Sequence, residues 1–305
     1  MNKIKLAVCG IFVLALMQAC NRKPAVVDAD TWITGTAKFA ADESFEPIVS
    51  QEEEVFKAID TAANPIILYR PETDVLRLLL NDSVRVAILS RGLDSNEIKI
   101  LTAHNLAPDT RCFAIDAVAI IVNQASNDTL ITVNELRKML SGQTKSDKNI
   151  VFDNEKSSLV RYLKDLTGAN NFKPKSVFAL KSNKEVIRYV STHPDALGIT
   201  GFSWLDDPDA DYADAVSKTK IVAVRDEDNK QYPTQYFKPS QTSLALKQYP
   251  LSRGLYIVNC TDRQGLGTGF AAFITSERGQ RIILRSGLLP DSIPPREIVI
   301  KKSLN

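Results

Sequence analysis

Histidine is nearly missing from this 305-residue chain: His104 and His193 are the only two. Cysteine is scarce at four, and charge is almost balanced, with 38 basic and 36 acidic residues. Each shortage removes a class of function. No clustered Cys/His spacing exists to build a zinc site. A Ser-His-Asp triad has few histidines to draw on, and the strained G-x-S-x-G turn of serine hydrolases is absent, so no enzyme is expected. Without a basic surplus there is no electrostatic footprint for nucleic acid, which is excluded as a partner. A near-neutral protein that binds an anion must hold it by local geometry. Internal repeats and low-complexity tracts are absent too.

The first 20 residues stand apart. Lys3 and Lys5 precede the apolar run "LAVCGIFVLALM", which has the length of a secretory signal and is too short for a stable membrane span. The run ends in "LMQAC", with Ala19 before Cys20. This resembles a bacterial lipoprotein signal, in which Cys20 is acylated and becomes the new N-terminus, although Met17 and Gln18 depart from the usual residues. A plain secretory signal is the alternative. Acyl chains on Cys20 would tie the protein to a membrane of the bacterial envelope. Loss of residues 1–19 leaves 36 basic and 36 acidic residues. Residues 20–30 read as a linker.

From residue 31, short β-type runs alternate with helical patterns, which predicts parallel βαβ units and an α/β fold. "TGTAKFA", "PIILYR", "SVRVAIL", "NIVF" and "KIVAVRD" read as strands. "EPIVSQEEEVFKAID" reads as a helix with Ile48, Val55, Phe56 and Ile59 on its apolar stripe and the "EEE" of 52–54 on a solvated face. "DSNEIKIL" has the pattern of a capping box, and "TVNELRKMLSG" is closed by Gly142. Two runs, "CFAIDAVAIIVNQ" (112–124) and "RGLYIVNC", are more uniformly apolar than the rest. "DDPDADYADAVSK" lacks calcium-loop spacing and reads as a solvated loop.

Three polar turns follow strands: "ADESFEPI" with Ser44, "ILSRGLDS" with Ser90 and Arg91, and "VFDNEKSSLVRYL" with Ser157 and Ser158. A strand, a turn and a helix N-terminus together aim several N–H groups, and the helix dipole, at one spot. Ligands of open α/β sheets bind beyond the carboxyl ends of the strands, so the three turns are expected to converge on a small oxyanion. The alternative for Ser157 is an ordinary N-cap. "GLGTGF" lacks the third-glycine spacing of a dinucleotide fingerprint and reads as a tight turn; no cofactor is implied.

The order of "DESFEPI", "VRVAILSRGL", "AIDAVAIIVN", "ITVNELRKMLSGQ", "VFDNEKSSLVRYL", "ALGITGFSWL" and "GFAAFITSERGQRIILRSGLLP" resembles the phosphate-binding proteins of ABC importers, and their lipoprotein relatives in particular. The resemblance covers nearly all of 31–300. It implies a periplasmic binding protein, type II-like: two Rossmann-like lobes joined by two crossover strands. Lobe one would be 31–111 with 262–305, and lobe two 112–261. Ser44 and Phe45, Ser90 and Arg91, and Ser157 and Ser158 would form the anion contacts, with Arg91 or Arg161 as the cation. The implied partners are phosphate, the importer's membrane subunits and the membrane itself, with the protein a monomer in the periplasm. Two positions depart: the family's best-known members carry Asp at the place of Ser90 and Arg at the place of Asp153. If "AIDAVAIIVN" and "RGLYIVNC" are the crossovers, Cys112 and Cys260 fall at one end of the pair, as a disulfide or as two free thiols. An interaction or sensor protein that keeps the lobes and has lost or changed the anion site is the competing reading.

Overall fold

The computed structural model describes residues 30–144, 147–168, 172, 175–261 and 264–292. The signal, Cys20 and the linker up to residue 29 lie outside them. None of the described helices is long and apolar enough to cross a membrane.

The strands run β1 (Gly35–Asp42), β2 (Ala63–Arg70), β3 (Val86–Leu89), β4 (Asp109–Asn123), β5 (Leu130–Thr132) and β6 (Asn149–Phe152), then β7 (Val177–Ala179), β8 (Ala196–Gly201), β9 (Thr219–Ile221), β10 (Ala223–Arg225), β11 (Ser252–Asn259) and β12 (Leu289–Pro290). One path of neighbours, β2-β1-β3-β11-β4-β8-β6-β7, threads two lobes. In the first, β1 lies parallel to β2 and β3. In the second, β6 lies parallel to β7 and β8. Parallel strands need crossover helices on their faces, and the alternating sequence supplies them.

β4 and β11 join the lobes. β4 is 15 residues long; its first part pairs antiparallel with β11, and Val118–Val122 pairs with β8. From Ala117 to Val122 every residue of β4 is fully buried. That burial explains the continuous apolar run, since a strand covered on both faces has no need to alternate. Around it, Phe39, Phe56, Phe270 and Phe273 pack ring to ring at 5.2–5.3 Å in the first lobe.

Local chemistry sets the helix ends. Asp94 and Glu97 form the expected capping box, and Gly142 closes its helix in a left-handed conformation at φ 73°. Two local readings need correction. In Glu46–Ile59 the buried face is Ile48, Val49, Glu52 and Phe56, while Val55 and Ile59 are exposed. Glu52 is therefore a core residue, not part of a solvated acidic face: it falls one turn after Ile48 and one before Phe56. "KIVAVRD" is split between β9, on β4, and β10, on β5, with Val222 between them bonding Ile120.

For the cysteines, the fold decides between the two readings left open. Cys112 lies opposite Tyr256 in the β4–β11 register, and Cys260 N–H bonds Arg85 across the other edge. Four residues of register separate the two thiols, roughly 13 Å at strand rise, well beyond bridging distance. Both are free.

Candidate functional site

The site forms where the carboxyl ends of β1, β3 and β6 face one another across the lobes. β1 ends at Asp42, whose Oδ1 accepts the Ser44 N–H at 3.0 Å and fixes the turn Glu43–Phe45. β6 ends at Phe152; Asp153 follows, and Ser157 caps the helix Ser158–Thr167 by accepting the Val160 N–H at 3.2 Å. The N-cap reading of Ser157 holds. The same hydroxyl also donates to Asp153 Oδ1.

Across the lobes the serines meet. Ser158 Oγ donates to Ser44 Oγ at 3.4 Å, and Ser44 Oγ to Asp153 Oδ2, also at 3.4 Å. Asn183 Nδ2 reaches the same Asp153 oxygen at 3.3 Å, and Trp204 Nε1 donates to the Ser44 carbonyl at 2.9 Å. Ser44, Asp42, Asp153 and Ser158 are wholly buried.

The cation in this cluster is Arg253 of β11, which the sequence reading missed. Its Nη1 donates to Ser158 Oγ at 2.9 Å, while Nε and Nη2 hold Asp116 Oδ2 at 3.1 and 2.9 Å. The guanidinium lies 4.5 Å from the Phe45 ring centroid. Phe45 is thus fully buried against the cluster's cation. Arg253 sits in an apolar crossover strand, and only the pairing of β11 with β4, which sets Arg253 opposite Asp116, reveals its role. The lone signal was an arginine beside glycine at the start of a buried run.

The other predicted residues lie elsewhere. Arg91 is held by its own loop: Nη1 and Nη2 engage Glu97 at 2.8 and 2.6 Å, and Nη1 also bonds the Gly92 carbonyl. Ser90 and Arg161 do meet, but around Glu72. Arg161 Nε reaches Glu72 Oε2 at 2.7 Å and its Nη2 reaches Ser90 Oγ at 2.6 Å. Ser90 in turn donates to Glu72 Oε1 at 2.7 Å through Oγ and at 3.2 Å through N–H. Of the seven expected contacts, Ser44, Phe45, Ser157 and Ser158 therefore gather at one centre. Ser90 and Arg161 form a second group at the mouth, and Arg91, paired with Glu97, borders the same cavity and helps draw Glu72 down without bonding it.

The electrostatics are acid-rich. Burial, and then the charge of Glu72, push Asp42 up to about 7 against the pull of Arg253. Burial raises Asp153 to about 6, opposed by its Ser157, Arg253, Ser44 and Asn183 neighbours. Asp116 is also raised by burial, with Arg253 drawing it back. Asp42 Oδ2 has no hydrogen-bond partner. A wholly buried carboxyl with one open oxygen, beside a guanidinium and two hydroxyls, can take a hydrogen bond from a protonated oxyanion. Among the described residues no group of His, Cys, Asp and Glu is arranged to hold a metal ion.

Residues 27–278 match a family model described as a PBP superfamily domain. The Phosphate-binding protein PstS of Borreliella burgdorferi is 29% identical over 229 residues, 69% of this chain and 74% of that protein. A Clostridium perfringens structure with bound phosphate superposes with a TM-score of 0.68 at 17% identity, covering 85% of this chain and all of that one. An ABC-type phosphate transport receptor from Vibrio cholerae gives 0.63 at 21% identity, covering 83% of this chain and 99% of its own.

Proposed function

The chain belongs to the PBP superfamily domain family, and from that premise we propose that it captures phosphate between its two lobes and delivers it to an ABC importer. One observation carries the reading. Ser44 from one lobe, Ser158 from the other and Arg253 from a crossover strand meet in a buried chain of hydrogen bonds at the carboxyl ends of the strands. Hydroxyls and one guanidinium, at the N-terminus of the helix Ser158–Thr167, suit an oxyanion held without a large local charge.

In this reading Arg253 is the cation that Arg91 and Arg161 were expected to provide, and Phe45 supports it. Asp42 takes over the work of the acid that Ser90 replaces: above about pH 7, where it is ionised, its open oxygen accepts the ligand's proton and a fully deprotonated anion such as sulfate is rejected. We place the lobe boundaries at 31–111 with 262–305 and at 112–261, of which 293–305 lie outside the described residues. Acylated Cys20 anchors the chain, as a monomer, in the bacterial envelope, where the importer's membrane subunits meet the closed lobes.

A second reading has one observation of its own. Asp153 draws hydrogen bonds from Ser44, Ser157 and Asn183, so an internal carboxylate uses donors that an anion would need. A sensor or interaction lipoprotein with a changed site would have that arrangement.

Calorimetry with phosphate, arsenate, sulfate and molybdate separates the two, with Arg253→Lys and Ser158→Ala alongside. Heat with phosphate and arsenate alone, lost in both variants, supports capture of a protonated oxyanion. No heat from folded protein with any of the four favours the second reading.

A further inference from the structure

Residues expected to touch the ligand are committed to each other across the mouth of the cleft. Arg161, in the second lobe, uses all three guanidinium nitrogens: Nε on Glu72, Nη2 on Ser90 and Glu72, and Nη1 on Asp165 at 3.0 Å. Glu72 and Ser90 belong to the first lobe. The Glu72 side chain is only 6% exposed, against 34% for Arg161. Burial alone would raise the Glu72 carboxyl; the Arg161 and Ser90 hydrogen bonds outweigh it and hold the group below its ordinary value. Its charge is therefore matched rather than stranded.

Further hydrogen bonds line the same seam. Thr73 donates to the Lys156 carbonyl through N–H at 3.5 Å and Oγ1 at 3.2 Å, and Asn154 bonds Glu43. Outside this line lies a cavity of about 240 Å³, bordered by Glu72, Thr73, Lys156, Ser157 and Arg161. Inside it lies the wholly buried Ser44–Ser158 centre.

We infer that Glu72, Arg161 and Ser90 form a clasp that holds the lobes together without ligand and gates passage to and from the centre. Arg161 of one lobe meets Glu72 and Ser90 of the other directly, so the contact opposes opening of the cleft. A partly buried, charge-assisted pair with a shared hydroxyl is strong enough to shift a two-state opening equilibrium by tenfold or more. Closing on ligand then adds to a closure already favoured, and the clasp slows release. That last step rests on the phosphate reading; the closure itself does not.

Hydrogen exchange at the Thr73 amide, which bonds across the seam, reports the clasp in the ligand-free chain. Glu72→Gln and Arg161→Gln should each speed that exchange by roughly tenfold or more. The double variant Glu72→Gln with Arg161→Gln should exchange little faster than either single variant, a non-additivity that general destabilisation would not give. Stopped-flow release of inorganic phosphate should quicken in the same two single variants. Unchanged Thr73 exchange in both would overturn the clasp. So would an Arg161→Gln variant that loses phosphate binding with exchange unaltered, since Arg161 would then be a ligand contact. A wild-type chain that fails to bind phosphate but shows the exchange pattern sinks the phosphate reading and leaves the clasp standing.

Discussion

Ser44 and Ser158 lie 114 residues apart in the chain and meet hydroxyl to hydroxyl at 3.4 Å, with Arg253 donating to Ser158 from a third element. Each serine follows a strand of a different lobe, so the contact exists only while the lobes are closed. On the phosphate reading, it brings donors for an oxyanion to a buried point where the lobes meet.

Arg253 has two tasks, which substitutions can separate. Arg253→Ala removes the Ser158 contact and strands the buried Asp116 carboxylate. We expect a stability loss of about 3–5 kcal/mol by chemical denaturation. Adding Asp116→Asn should recover a large part of that loss while leaving phosphate binding absent. If the double variant binds phosphate normally, Arg253 is not the anion's cation.

Stability should fall as pH rises across the neutral range. Asp42 and Asp153 hold their protons more firmly folded, at about 7 and about 6, than at their ordinary 3.8. Their contribution is complete below about pH 4 and is lost as pH climbs through 6 and then 7. Melting temperatures from pH 4 to 8 should decline, and Asp42→Asn should flatten the upper part of that decline. A rise with pH over this window would contradict the burial assigned to both groups.

Glu52 is a buried carboxyl with neither oxygen partnered, and burial pushes it up to about 9. Glu52→Met keeps the volume and removes the unsatisfied group. It should stabilise the protein by about 1–3 kcal/mol in denaturant melts. The same change should remove a loss of stability that otherwise runs from about pH 4.5 to 9. Destabilisation would mean that Glu52 has a use its surroundings do not reveal.

The two thiols should behave independently. Intact mass should show both free with and without reductant, and an alkylating reagent should take half-buried Cys112 well before buried Cys260, whose thiol burial raises to about 11. A mass two hydrogens lighter before reduction would show a bridge that the β4–β11 register forbids.

Gly198, at the centre of β8, tests the packing of the second lobe. A Cβ there would lie 2.6 Å from Val190 Cγ2 and 2.9 Å from Ile121 Cγ1. Gly198→Ala should cost about 1–3 kcal/mol by overpacking, measured by thermal or chemical melts. A neutral result would show that Val190 and Ile121 can withdraw.

Much of the fold is written in local pattern. Alternating strand and helix periods, the Asp94–Glu97 box, Gly142 and the two long apolar runs all depend on neighbours a few residues away, and the structure keeps them. So does the cap at Ser157, whose bond to Val160 spans three positions. In Glu46–Ile59 the local pattern puts Glu52 in water, whereas the fold buries it, because composition alone cannot reveal a protonated core carboxyl.

What the sequence by itself determined is where backbone N–H groups collect: at the turns holding Ser44, Ser90 and Ser157. It could not say which of these turns face one another, or which arginine stands among them. Those answers depend on register and on the angle between lobes. The pairing of β11 with β4 carried Arg253 to Asp116, while closure spent Ser90 and Arg161 on Glu72. Charge acts through space, so the cation of the site was decided by a strand 95 residues from the serine it holds.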